Sequence, residues 1–294
     1  MAFDSKLARA LFCSAVLLAW SCRGADAPAP ATPPGLPEGA RTFLDIPYVA
    51  GGSERQMLDL YLPATGTNWP LIVWIHGGGW TEGSKAKPPG LRFLNHGFAL
   101  ASINYRFSQN AIFPAQLLDC KAAVRWLRAH ASTYGLDPGR IGVWGASAGG
   151  HLVALLGTTG GIKEFDTGEN LGVSSRVQAV CDWFGPTDFT GFLDHDTADT
   201  PVARLLGGLI SKNLELAQRA NPIHYITKDD PPFLIMHGDK DPVVPLEQSQ
   251  LLADALKKAG VPVTFRVVPG GPEFRKPEEL ERLFIFFLKN LKGE

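Results

Sequence analysis

Between Arg140 and Leu156 the chain reads RIGVWGASAGGHLVALL, and this stretch constrains the fold more than any other. An apolar run with Ile141, Val143 and Trp144 stops at Gly145-Ala146-Ser147-Ala148-Gly149, and a helix-compatible run follows. That is a strand, a sharp turn and a helix. A serine at the crest of such a turn carries its hydroxyl clear of the sheet. Glycines two positions to either side let neighbouring backbone come close. The helix that begins there turns free N–H groups toward any negative charge forming at the crest. An ordinary N-cap serine is the plainer reading of Ser147, and the motif gains weight from the strand and helix that flank it.

The rest of the chain supplies the sheet this unit needs. Eight strands are predicted, at Thr42–Tyr48, Met57–Leu62, Leu71–His76, Phe98–Asn104, Arg140–Trp144, Val177–Trp183, Phe233–His237 and Val261–Val268. The first two show partial alternation (Leu58, Leu60, Leu62), which suits strands at a sheet edge. The later ones are continuous apolar runs, which suit strands covered on both faces. Helical spacing falls between them. In Ala115–His130, Leu117, Cys120, Val124 and Leu127 share a face; in Leu246–Lys258, Ser249, Leu252 and Leu256 do. Glu278–Leu291 carries a full apolar stripe from Leu280 to Leu291, with Pro277 at its first turn. Strands alternating with helices imply an α/β fold, a mostly parallel eight-stranded sheet with helices on both faces. An insert of about Gly185 to Pro232 after the sixth strand is placed to form a small cap. Ligands of such sheets sit at the carboxyl ends of the strands, where Ser147 lies.

Length and charge bound the function. The chain has 294 residues, 45% of them hydrophobic, and a net charge of −1 without a basic block, so nothing points to nucleic acid. Residues 1–27 read as a signal peptide, with Lys6 and Arg9 ahead of the apolar run Ala10–Trp20 and a small-residue site at Ala25-Asp26-Ala27. Ala19-Trp20-Ser21-Cys22 leaves open a lipid anchor on Cys22. The apolar run is too short for a membrane span, which needs about 20 residues. Residues 28–40 form a Pro-rich linker and residues 41–294 one domain. An exported protein, periplasmic, lipid-anchored or secreted, is the expectation. Cys120 and Cys181 are expected to be buried free thiols rather than a disulfide.

The third strand runs into His76-Gly77-Gly78-Gly79-Trp80. A glycine run offers backbone N–H groups that no side chain shields, as a tetrahedral acyl intermediate requires. Gly78 and Gly79 are candidate oxyanion donors, with the N–H of Ala148 as a third; His76 is expected to hold the loop.

HGGGW (His76–Trp80), NYR (Asn104–Arg106), FPAQLLDCKAAVRWLR (Phe113–Arg128), GASAGGH (Gly145–His151), DWFGPTD (Asp182–Asp188) and HGDKDPVVP (His237–Pro245) together resemble α/β-hydrolases of the esterase/lipase branch with an HGGG-type loop. The likeness is greatest to bacterial exported carboxylesterases of the acetyl-xylan and feruloyl type. It implies a triad in the order Ser, Asp, His, with Ser147 as nucleophile and Asp241 as acid; Asp239 is the competing acid, read as a turn residue. The histidine should follow the eighth strand, yet that loop reads Val268-Pro269-Gly270-Gly271-Pro272-Glu273-Phe274-Arg275, and no histidine follows His237. His151 on the Ser147 helix, His195 in the insert and Glu273 are the possible substitutes. His96, His130 and His224 carry no motif.

The expectation is therefore a serine carboxylesterase for small acyl esters, acetyl or feruloyl groups on polysaccharide among them, with turnover impaired by the missing base. The alternative is a non-catalytic relative that binds an ester or carbohydrate. No metal spacing and no dinucleotide or phosphate-loop pattern is present, so no cofactor is expected. Trp80, Trp183 and Phe184 are candidates for pocket walls.

Overall fold

The predicted strands form one sheet in the order β1-β2-β4-β3-β5-β6-β7-β8. The strands are β1 (Arg41–Pro47), β2 (Met57–Leu62), β3 (Trp69–Ile75), β4 (Ala99–Ile103), β5 (Leu136–Ala146), β6 (Ala179–Trp183), β7 (Phe233–Gly238) and β8 (Val263–Val268). This computed structural model describes residues 35–271 and 276–294, without the side chains of Asp194 and His195. The signal peptide, most of the linker and Glu273 lie outside the described residues. β1–β2 and β2–β4 are antiparallel, and every later pairing is parallel.

The helices are α1 (Ala115–Ala129), α2 (Ala131–Tyr134), α3 (Ala148–Thr158), α4 (Pro201–Leu206), α5 (Leu214–Arg219), α6 (Leu246–Lys258) and α7 (Pro277–Phe287), the last continuing as a π-turn over Leu288–Lys292. Alternation along β3 divides the core. Leu71, Val73 and Ile75 face a cluster with Leu117, Val124, Leu152 and Leu256 from α1, α3 and α6. Ile72 faces the other side, where Trp144, Leu283, Phe287 and Leu291 meet. Cys120 and Cys181 are free and buried on opposite faces of the sheet, which rules out a bond between them.

Two expectations about the edges are corrected. β2 is not an edge strand: it pairs with β1 and β4, and five of its six residues are buried. Its polar Asp59 is buried because Lys85 Nζ reaches it at 2.5 Å. β8, read as covered on both faces, is the other edge, and only Val268 of its six residues is buried. β5 runs further than predicted at both ends, and its extra residues carry it to the turn at Ser147. The insert between β6 and β7 holds α4, α5 and short 3-10 turns, including Phe189–His195.

Candidate active site

β5 ends at Ala146 and α3 begins at Ala148, so Ser147 alone makes the turn. Its backbone sits at φ 54° and ψ −121°, a region an L-residue occupies only under strain. The surrounding chain holds it there. The Ser147 N–H donates to the Trp183 carbonyl at 2.8 Å, and the His151 N–H donates to the Ser147 carbonyl at 3.0 Å. The flanking glycines are sterically required. A Cβ on Gly145 would lie 2.2 Å from the Gly149 oxygen, and one on Gly149 would lie 2.1 Å from the Ile75 oxygen. The expected glycine–serine–glycine turn is thus present: Gly145 makes room for the first turn of α3, and Gly149 for the end of β3.

The glycine loop leaves β3 beside this turn. Gly78 and Gly79 adopt φ of +107° and +55°. The Gly78 carbonyl accepts from the N–H of Thr81 (3.0 Å) and Glu82 (3.1 Å), which turns the loop back on itself. Among the described residues, no carbonyl accepts from the N–H of Gly78 or Gly79. Ala148, as first residue of its helix, has no carbonyl one turn behind it to bond. These three residues and Ser147 line one cavity of about 350 Å³, walled by Trp80, Phe192, Val202, Ile210 and Val244. Donors and hydroxyl therefore face the same space, as stabilisation of an oxyanion requires.

His76 holds the loop, as expected. Its Nδ1–H donates to the Gly77 carbonyl at 2.7 Å, because a carbonyl can only accept, and Nε2 is left to accept from Arg55 at 3.2 Å. The ring stacks on Tyr105, whose hydroxyl donates to the His76 carbonyl at 3.0 Å. Burial, with help from the Arg55 charge, pushes its pKa down to about 4 and keeps it neutral. The NYR motif is thereby explained: Tyr105 supports the loop, and Arg106 forks onto Asp119 of α1 at 2.8 Å from Nε and 2.8 Å from Nη2.

Asp241 follows β7. Its Oδ1 accepts from the N–H of Val243 (2.8 Å) and Val244 (3.0 Å), and both valines line the Ser147 cavity. Its Oδ2 lies 3.8 Å from Nε2 of His237, but that imidazole is engaged elsewhere. Nε2–H donates to the Val244 carbonyl (2.9 Å), and Nδ1 accepts from the Ser249 hydroxyl (2.7 Å). Asp239 occupies the turn: its Oδ1 accepts from the Gly270 N–H at 2.7 Å, which ties β7 to the loop after β8.

The possible substitute bases fare differently. His151 lies one turn beyond Ser147 but points into the core. It is fully buried, its Nε2–H donates to the Ala220 carbonyl at 2.7 Å, and its ring packs on Trp80 and Phe189. Burial lowers its pKa to about 4. The helix that Ser147 caps turns His151 toward the insert and the glycine loop, not toward the serine hydroxyl. The side chain of His195 and the whole of Glu273 lie outside the described residues. His130 stacks on Trp126, His96 packs on Phe284, and His224 is exposed. Trp80 is a cavity wall and is also packed, whereas Trp183 and Phe184 line a second cavity.

Two supporting residues escaped the sequence reading. Gln248 Oε1 accepts from the N–H of Thr187 (2.7 Å) and Asp188 (2.8 Å) and so fixes the start of the insert. Asp182 accepts from the Gly185 N–H at 2.9 Å, and burial raises its carboxyl pKa to about 7. DWFGPTD marked the Asp182 segment, but no local pattern distinguishes Gln248. Among the described residues, no group of three His, Cys, Asp or Glu could hold a metal ion, and no helix is long and apolar enough to cross a membrane.

Residues 58–256, more than half of the chain, match the BD-FAE family. The chain belongs to that family. Its fold is that of the α/β-hydrolase carboxylesterases. It is similar to a truncated carbohydrate esterase from gut microbiota, with a TM-score of 0.83 and 36% identity over 88% of this chain and 99% of the other. It is also similar to a bifunctional GH43-CE protein of Bacteroides eggerthii, with a TM-score of 0.80 and 39% identity over 85% of this chain and 38% of the other. Among curated proteins it is 34% identical to the esterase LipQ of Mycobacterium tuberculosis, over 74% of this chain and 53% of LipQ. The chain thus spans about half the length of the curated relatives it matches.

Proposed function

We propose that this protein is a carboxylic-ester hydrolase in which Ser147 is the nucleophile. The observation that carries the reading is the shared cavity: a serine at a strained crest faces the same space as the N–H groups of Gly78, Gly79 and Ala148. Ser147 Oγ attacks the ester carbonyl, whose oxygen takes up negative charge and accepts from these N–H groups. The alcohol leaves with the proton given up by Ser147 as the acyl group transfers to Oγ, and water then releases the acid and returns a proton to Ser147. Asp241 is the acid of the triad by position.

A base must take the Ser147 proton, and the sequence has no histidine after His237. Loss of that residue in a serine hydrolase costs on the order of 10⁶ in kcat, with roughly 10³ to 10⁴ over water remaining from oxyanion donors and binding. Turnover is therefore expected to be strongly impaired. The proposed substrates are small acyl esters, acetyl or feruloyl-type, on polysaccharide, a choice supported by the likeness to carbohydrate esterases. Export is proposed from Lys6, Arg9 and the apolar run after them.

The test compares p-nitrophenyl acetate hydrolysis by the chain, by Ser147→Ala and by a variant with Gly-His inserted between Gly270 and Gly271. The insertion is expected to raise the rate by at least about 10²-fold, the contribution of a general base. Equal rates for the chain and the insertion variant would refute the impairment, and an insertion variant that keeps its rate when Ser147 is replaced by alanine would refute the nucleophile.

A further inference from the structure

The Ser147 cavity has a larger neighbour. It measures about 940 Å³ and is lined by Trp74, Trp183, Phe184, Pro88, Lys87 and Arg92, among others. Gly78 and Glu82 line both cavities, so the two meet at the glycine loop. An ester whose carbonyl oxygen is held at that loop must send its acyl and alcohol portions in different directions. The smaller, apolar cavity suits the acyl portion. The larger one, with flat aromatic and proline walls, suits a ring-bearing alcohol portion.

Charge narrows the choice further. Lys87 and Arg92 are exposed and, among the described residues, make no ion pair or hydrogen bond. Nearby Lys85, in contrast, is taken up by Asp45 and Asp59. Arg92 is oriented only loosely, over the Phe93 ring at 5.7 Å. Among the described residues of the lining the acid is Glu82, and it sits where the cavities join, while Lys87 and Arg92 line the larger cavity and not the smaller one. His76 also lines it but is neutral. Positive charge thus lies away from the reacting carbonyl, in a chain whose 28 basic and 29 acidic residues nearly balance.

We propose that the larger cavity holds the alcohol portion of the ester, and that Lys87 and Arg92 select alcohols bearing a carboxylate remote from the ester oxygen. The selectivity belongs to the cavity, while its role as alcohol site rests on the hydrolase reading above. The binding test uses 4-hydroxybenzoate and its neutral counterpart 4-hydroxybenzamide, titrated against the chain by calorimetry at low and high salt. The carboxylate is expected to bind about tenfold more tightly, a preference that shrinks as salt screens the cations. Lys87→Ala/Arg92→Ala should abolish the preference and Lys87→Arg/Arg92→Lys should keep it, with thermal melts confirming that both variants fold. Equal binding of the two compounds, or a preference that survives in the alanine pair, overturns the proposal.

A kinetic arm, run on the chain with Gly-His inserted between Gly270 and Gly271, separates this outcome from failure of the hydrolase reading, with 4-acetoxybenzoate and 4-acetoxybenzamide as substrates. A lower KM for the carboxylate ester, lost in the alanine pair, supports the proposal. Hydrolysis of both esters with the same KM leaves the hydrolase standing and overturns the selectivity. Selective binding with hydrolysis of neither upholds the selectivity and overturns the alcohol-site role.

Discussion

Replacing Ser147 by glycine should make the protein more stable. Glycine usually does the opposite, since it adds freedom to the unfolded chain worth about 0.4–1 kcal/mol. At φ 54° and ψ −121°, however, the Cβ of Ser147 is strained, and such residues cost of order 1–3 kcal/mol. Glycine removes that strain, and alanine keeps it. The surrounding hydrogen bonds use only backbone atoms, the Ser147 N–H to Trp183 and the Ser147 carbonyl from His151, so both variants retain them. The net gain of Ser147→Gly over Ser147→Ala is therefore about 1 kcal/mol. For a chain of this size it should appear as a rise in Tm of about 2–4 °C. Calorimetric melts of the chain and the two variants measure it directly. In the chain with Gly-His inserted after Gly270, ester hydrolysis should fall to the same floor with either substitution. A glycine variant that melts at or below the alanine variant would refute the claim that the fold strains this residue to present its hydroxyl.

The bond from Arg106 to the buried Asp119 predicts a different loss. Asp119→Ala should destabilise the chain by about 1–3 kcal/mol, seen in denaturant melts, because the Arg106 N–H and the Gln56 amide lose their buried acceptor. Stability should also fall on acidification. The unfolded chain protonates His151 near its ordinary pKa of 6.5 and the folded chain only near 4, so stability is lost as pH drops through that window, by up to about 3 kcal/mol. His151→Gln should flatten the dependence of Tm on pH between 7 and 4.5, although His76 leaves a slope of the same sign. Gly149→Ala should cost both fold and activity, since its new methyl meets the Ile75 carbonyl at 2.1 Å with backbone on both sides; recovery of soluble, active protein would contradict this.

Most of the sheet was legible because each strand is a short apolar run punctuated by turn residues, and α1, α6 and α7 each show one apolar face. The edges were misread for a physical reason. Alternation in β2 arises from Asp59 and Tyr61, which are buried by partners distant in sequence, and the apolar run of β8 conceals its exposed Val267. At the site, Ser147, Gly78, Gly79 and Ala148 were legible because one turn and one loop bring them together. His151 was ambiguous because spacing along a helix does not say which way the helix faces. Gln248 was invisible because its partners, Thr187 and Asp188, are 60 or more residues away.

At the crest of β5 the Ser147 hydroxyl faces the same cavity as the N–H groups of Gly78, Gly79 and Ala148. A fluorophosphonate probe, followed by mass spectrometry of the labelled peptide, tests this most directly. Covalent labelling of Ser147 should be slow, absent in Ser147→Ala and accelerated when Gly-His is inserted after Gly270. No adduct on Ser147 in either the chain or the insertion variant would contradict it.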